Sequence, residues 1–132
     1  MNDDVRLLEQ AVAASARAHS PYSKIRVGAA ARDASGKVFT GCNIENASLG
    51  LTVCAERVAL WNAVAQGADR ITVLALASNH PAVTTPCGAC RQVILELAPD
   101  ARIVFGDGAG ASRSWATVRD LLPDAFDPTW ME

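Results

Sequence analysis

The chain has 132 residues and a formal net charge of −2, with half its residues hydrophobic and a fifth charged. That is room for one domain, expected to span residues 1–132, with a core large enough to need no staple. A pI of about 5.6 excludes the basic face of a polynucleotide binder, and no apolar run approaches the ~20 residues of a membrane span.

The start, Met1-Asn2-Asp3-Asp4, is acidic, without the basic-then-apolar order of a secretory leader, so a cytoplasmic location is expected. Asn2 or Asp3 can cap a first helix, in which Val5, Leu8, Val12 and Ala16 recur at helical spacing to about Ala18. Ser20-Pro21-Tyr22-Ser23 ends it. Ile25 to Arg32 and Lys37 to Asn43 read as strands joined by a turn at Asp33-Ala34-Ser35-Gly36. After a loop at Asn46 to Gly50, a second helix is expected from Cys54 to about Gln66, with Gly67 where a C-terminal glycine belongs. The continuous apolar run Ile71 to Ser78 suits a central strand buried on both faces. A third helix opens at Cys87. Arg102 to Phe105 reads as a strand, Gly106 to Gly110 as a turn, Ser114 to Thr117 as an edge strand and Val118 to Leu122 as a short helix. This order of elements predicts a mixed sheet with helices on both faces.

Four cysteines need an explanation: Cys42, Cys54, Cys87 and Cys90. In a cytosolic chain the last two, a C-x-x-C, read as metal ligation or redox chemistry rather than a disulfide. Cys54-Ala55-Glu56-Arg57 and Pro86-Cys87-Gly88-Ala89-Cys90-Arg91-Gln92 each sit at an expected helix start. Free backbone N–H groups and the positive dipole end gather there and favour thiolates. Three thiolates converging from two such ends make a soft zinc site, and three protein ligands leave the fourth position for water. Glu56 lies two residues after a ligand, close enough to move that water's proton. Three His/Cys ligands, a nearby glutamate and P-C-x-x-C form the known pattern of zinc deaminases.

The chain resembles the small homotetrameric cytidine deaminases over nearly its whole length. The resemblance rests on Pro21-Tyr22-Ser23-Lys24, Val27-Gly28-Ala29-Ala30, Gly41 to Ser48, Cys54 to Arg57, Pro86 to Gln92 and Leu121 to Phe126, in that order. It implies a three-layer α/β/α sandwich with a mixed sheet of about five strands, and Zn²⁺ held by Cys54, Cys87 and Cys90. It also implies that Glu56 carries protons to the pyrimidine N3 and the leaving ammonia. Asn43 and Glu45 would bind the ribose 3′-hydroxyl, Ala55 would line the substrate site, and Arg57 would donate to the thiolates. Phe126 would reach a neighbouring subunit's site. Where the family usually has phenylalanine this chain has Ile25, and where it usually has tyrosine, Leu49. Both are expected beside the base, and the loss of two rings predicts weaker cytidine binding and tolerance of modified cytidines.

Blander roles compete at several positions. Cys42, inside a strand, reads as a small buried hydrophobe. His19 and His80 read as solvated, and Trp61, Trp115 and Trp130 as packing or interface residues. Phe126 could be plain core. The expected function is hydrolytic deamination of cytidine, 2′-deoxycytidine or a modified cytidine in pyrimidine salvage, by a homotetramer with shared active sites. The alternatives are a deaminase of a nucleoside analogue or antibiotic, of the blasticidin S type, and a zinc-stabilised nucleoside-binding module without turnover. Glu56 separates the last from the others, since a pure binder has no need of it.

Overall fold

The computed structural model describes residues 3–107 and 111–131. Three helices, α1 (Asp3–Ser15), α2 (Ala55–Ala65) and α3 (Gly88–Leu97), pack on a sheet of β1 (Val27–Asp33), β2 (Val38–Cys42), β3 (Ile71–Ser78), β4 (Arg102–Gly106) and β5 (Ala111–Trp115). The strand order is β2-β1-β3-β4-β5. Only β3 and β4 run parallel, joined through α3, while the other neighbours are antiparallel. This is the mixed five-stranded α/β fold that the sequence predicts.

Alternation along the strands sorts the core into two layers. Ala29, Ala31, Leu74, Leu76, Ile103 and Phe105 face α2 and α3, where Ala59, Leu60, Ala63 and Ile94 meet them. Ala30, Val73, Ala75, Ala77 and Val104 face the other way, onto Leu7, Leu8 and Ala11 of α1. Residues on β3 are buried on both faces, which explains its unbroken apolar run. Each fully buried Leu or Ile adds about 1.5–3 kcal/mol.

Small residues let the layers approach closely. A Cβ built on Gly28 would lie 1.8 Å from the Ala11 carbonyl oxygen of α1, and one on Gly41 would lie 2.4 Å from the Ala59 nitrogen of α2. Gly41 thereby sets how near α2 lies to β2. Local signals fix the ends of the elements. Asp33 holds the β1–β2 turn by accepting from the Ser35 and Lys37 N–H groups, both at 3.0 Å, and from the Asp69 N–H through its other oxygen. Helix α2 ends in a Schellman motif: Ala68 N–H donates to Ala63 O, Gly67 N–H donates to Val64 O, and Gly67 has a φ of 72°.

Some boundaries differ from the sequence reading. Helix α1 stops at Ser15 rather than Ala18, because the Ser15 hydroxyl turns back to Val12 O and the Arg26 guanidinium takes the Ala16 and Ala18 carbonyls. Strand β5 begins at Ala111, where pairing with β4 places it, instead of Ser114. The expected helix at 118–122 is a 3₁₀ turn, Val118–Leu121, and a second 3₁₀ turn spans Pro128–Met131. Of the expected turn at 106–110, residues 108–110 lie outside the described residues, as does Asn2, one of the two candidate caps.

Because backbone, not a flexible side chain, occupies the space beside Gly41, Gly41→Ala is expected to lower the melting temperature by well over 5 °C, on the order of an overpacked core site. Gly36→Ala, whose Cβ meets nothing within 4 Å, pays only for its positive φ and should lose less. Differential scanning calorimetry of the two variants checks the ranking, and a smaller loss at Gly41 contradicts it.

Candidate metal and substrate site

The site lies where β3 and β4 end and α2 and α3 begin, the ligand-binding place of open α/β sheets. Both helices start on a cysteine. Cys54 and Cys87 are the N-cap residues of α2 and α3, each extended, and neither side chain makes a capping hydrogen bond. Their sulfurs are therefore available to each other. In both helices the residue three positions on reaches back to the cap: Arg57 Nη2 donates to Cys54 Sγ at 3.4 Å, and Cys87 and Cys90 Sγ are 3.4 Å apart.

Cys54 and Cys87 Sγ stand 3.8 Å apart, and all three sulfurs lie within 4.8 Å of one another. Zn–S bonds of about 2.3 Å at tetrahedral angles put sulfurs about 3.8 Å apart. The donor set thus fits zinc in chemistry and in spacing. Among the described residues this is the only such group, and Cys42 is not part of it. Cys42, half-buried at the end of β2, lines a separate cavity with Gln10 and Arg17.

The charges point the same way. Hydrogen bonds from Cys90, Arg57 and Cys87 bring the Cys54 thiol down to about 5, whereas Cys90, bonded to that sulfur and desolvated, is pushed up. One thiolate forms readily and the next resists. A divalent cation is what lets all three ionise together. The Arg57 guanidinium is held charged by the same sulfurs, and its Nε is buried without a partner.

Glu56 points inward from the first turn of α2 and is 5 % exposed. Burial, with Cys54 adding its charge, pushes its carboxyl up to about 7. It lines a cavity of about 230 Å³ together with Ile25, Asn43, Glu45, Ala55, Cys54 and Cys87. The structure therefore gathers nine sequence-predicted residues, Arg57 and Cys90 included, around one cavity.

Asn43 is buried and fully engaged on one side: Oδ1 accepts from Val27 N–H and Nδ2 donates to Ile25 O, both at 2.8 Å. The Glu45 carboxylate accepts from the Tyr22 and Ser23 N–H groups and from the Ser23 hydroxyl, which hold it below the usual carboxylate range.

Two predicted residues are elsewhere within the chain. Leu49 begins a 3₁₀ turn, Leu49–Leu51, that directs it to solvent, 79 % exposed, so it does not line its own chain's cavity. Phe126 is 63 % exposed beside Gln92 and Arg119, and its carbonyl accepts from Gln92 Nε2. It is not core. His19 and His80 are exposed, as expected. The sequence reading missed Val27, Val83, Thr85 and Phe105, which also line the cavity. Phe105 carried a signal: an aromatic at the carboxyl end of a strand parallel to its neighbour.

Residues 1–107 match the family model for the cytidine and deoxycytidylate deaminase zinc-binding region. The chain is 43% identical over 125 residues to the cytidine deaminase of Halalkalibacterium halodurans, covering 94% of each. The chain belongs to the cytidine and deoxycytidylate deaminase family. Other relatives agree. The cytidine deaminase of Mycobacterium tuberculosis is 44% identical over 116 residues, covering 88% of this chain and 84% of that one. The crystal structure of the cytidine deaminase from Burkholderia pseudomallei superposes with a TM-score of 0.85 at 46% identity, covering 92% of this chain and 97% of that one.

A deaminase site of this form is expected to carry one zinc per chain. Elemental analysis of the purified protein should find it, Cys87→Ala should lose most of it, and a strong chelator should lower the melting temperature. Zinc that survives Cys87→Ala but disappears with Cys42→Ser would refute the ligand assignment.

Proposed function

We propose that the chain hydrolyses cytidine, 2′-deoxycytidine or a modified cytidine to the uridine product and ammonia, serving pyrimidine salvage. The observation that carries this reading is Glu56, a carboxyl buried against three clustered thiols and open to a nucleoside-sized cavity. A site built only to bind has no reason to bury an acid there at the cost of its charge.

The sulfurs of Cys54, Cys87 and Cys90 would hold Zn²⁺, which when bound would supply a water acidified to a pKa of about 7. Glu56 moves the protons. Burial raises its proton affinity above the usual carboxylate range, which suits it both to take and to give a proton. It takes protons from the attacking water, protonates N3 as oxygen adds to C4, and then protonates the amino nitrogen as the C4–N4 bond breaks. Water enters and ammonia leaves, so the atoms balance. Arg57 draws charge from Cys54 Sγ. Asn43 and Glu45, already fixed by backbone, offer the sugar hydroxyls their remaining polar capacity. Ile25 packs on the base.

Assembly into a homotetramer with shared sites is part of the same reading. It is supported by exposed apolar side chains, among them Leu49, Leu51, Trp61, Val64 and Phe126. Phe126 and Leu49 are exposed and do not line their own chain's cavity, which supports a role at a neighbour's. A cytoplasmic setting is supported by four cysteines, all without disulfides.

Three outcomes are expected. Glu56→Gln keeps zinc and fold while kcat on cytidine falls roughly 10²–10⁴-fold; a spectrophotometric assay showing near-native kcat would remove Glu56 from the mechanism. Ile25→Phe raises kcat/KM on cytidine about two- to tenfold, from aromatic stacking, and lowers it on an N4-alkylcytidine; no change on either substrate contradicts a role for Ile25 in base binding. Light scattering gives the mass of four chains, and a fully active monomer excludes shared sites.

A further inference from the structure

Ile25 reaches the cavity from a segment with an unusual backbone. The preceding residue, Lys24, has a φ of 63°. A lysine stays in that left-handed region only when its surroundings hold it there. Two asparagines flank the segment. Asn43 takes the inner side, donating to Ile25 O and accepting from Val27 N–H.

Asn79 takes the outer side with three hydrogen bonds to Lys24 and Arg26. Its backbone N–H donates to Arg26 O at 3.0 Å, its Oδ1 accepts from Arg26 N–H at 2.8 Å, and its Nδ2 donates to Lys24 O at 3.3 Å. The bonds thus fall on both sides of Ile25. The Ile25 N–H itself is taken by the Ser23 hydroxyl, which also donates to Glu45. Asn79 does not line the cavity. It follows β3 directly and opens the loop that carries Val83 and Thr85 into the cavity and ends at Cys87.

We propose that Asn79 is a positioning residue for nucleoside binding: it locks Lys24 in the left-handed conformation, presents Ile25 to the pyrimidine, and ties this wall to the loop that ends at Cys87. The proposal rests on the deaminase reading above. Without the clamp, Lys24 relaxes toward negative φ, which redirects the chain at Ile25 while leaving the sulfurs and Glu56 in place. The loss then falls on binding rather than on the chemical step. The Arg26 N–H needs only an acceptor, so aspartate can replace asparagine for that bond, and alanine cannot.

The test compares wild type, Asn79→Ala and Asn79→Asp by amide hydrogen exchange and by kinetics on cytidine. In Asn79→Ala the Arg26 amide should exchange about tenfold faster, and KM should rise about fivefold, the loss of one or two net hydrogen bonds. Its kcat should stay within about twofold of wild type, as expected for lost uniform binding, with zinc content unchanged. Asn79→Asp should keep the Arg26 amide protected and recover most of KM. Unchanged exchange in Asn79→Ala overturns the clamp. So does faster exchange with unchanged KM, a fall in kcat at constant KM, or an aspartate variant no better than alanine. A wild type that does not turn over cytidine fails the deaminase reading, and Arg26 exchange then decides the clamp by itself.

Discussion

Three thiols packed at the starts of two helices cannot all carry charge unless a cation joins them, and the rest of the site follows from that constraint. Cys54 ionises easily because Cys90, Cys87 and Arg57 all bond to its sulfur. The same contacts raise Cys90. Helix starts ease the load, since their unpaired N–H groups and dipoles favour negative charge. They do not remove it. A divalent ion completes the balance, and the Arg57 guanidinium moderates the excess charge of three thiolates. Glu56 is two residues beyond a ligand, so the geometry that brings Cys54 to the sulfur cluster also buries the carboxyl beside it. Position and raised proton affinity have a single cause.

The fold serves that cluster by bringing two helix starts to one end of the sheet. Strand β3 passes through the middle, its neighbour β4 runs parallel to it through α3, and α2 lies across β2 and β1. The approach of α2 depends on Gly41, where a side chain would meet helix backbone. Alanines on β1 do the same across the sheet for both layers. A core of small residues leaves little room for the helices to shift, and sulfurs held within a few ångströms need that rigidity.

The parts of this arrangement governed by local chemistry were legible in the sequence. The β3 run, the glycine ending α2, the two cysteine-bearing helix starts and the inward glutamate each have short-range signatures. What escaped depends on contacts between distant segments. Helix α1 ends early because Arg26, from ten residues away, takes the carbonyl of Ala16 just past its end. Val83 and Phe105 meet in the cavity from different elements; the strand-end position of Phe105 hints at its place, but nothing within the Val83 segment does. Leu49 was expected beside the base, but a 3₁₀ turn three residues long sets its direction, and so short a turn leaves no periodicity to read. Edge strand β5 is mostly exposed and polar, so its register comes from β4 rather than from its own sequence.

The central claim is a zinc ion held by three sulfurs with one position left open. X-ray absorption at the zinc edge of the purified protein measures it most directly. The account predicts three sulfur neighbours at about 2.3 Å and a single lighter oxygen or nitrogen neighbour at about 2.0 Å, the oxygen being exchangeable water. Four sulfur neighbours, with Cys42 drawn into the shell, would make the site a closed structural one and contradict it.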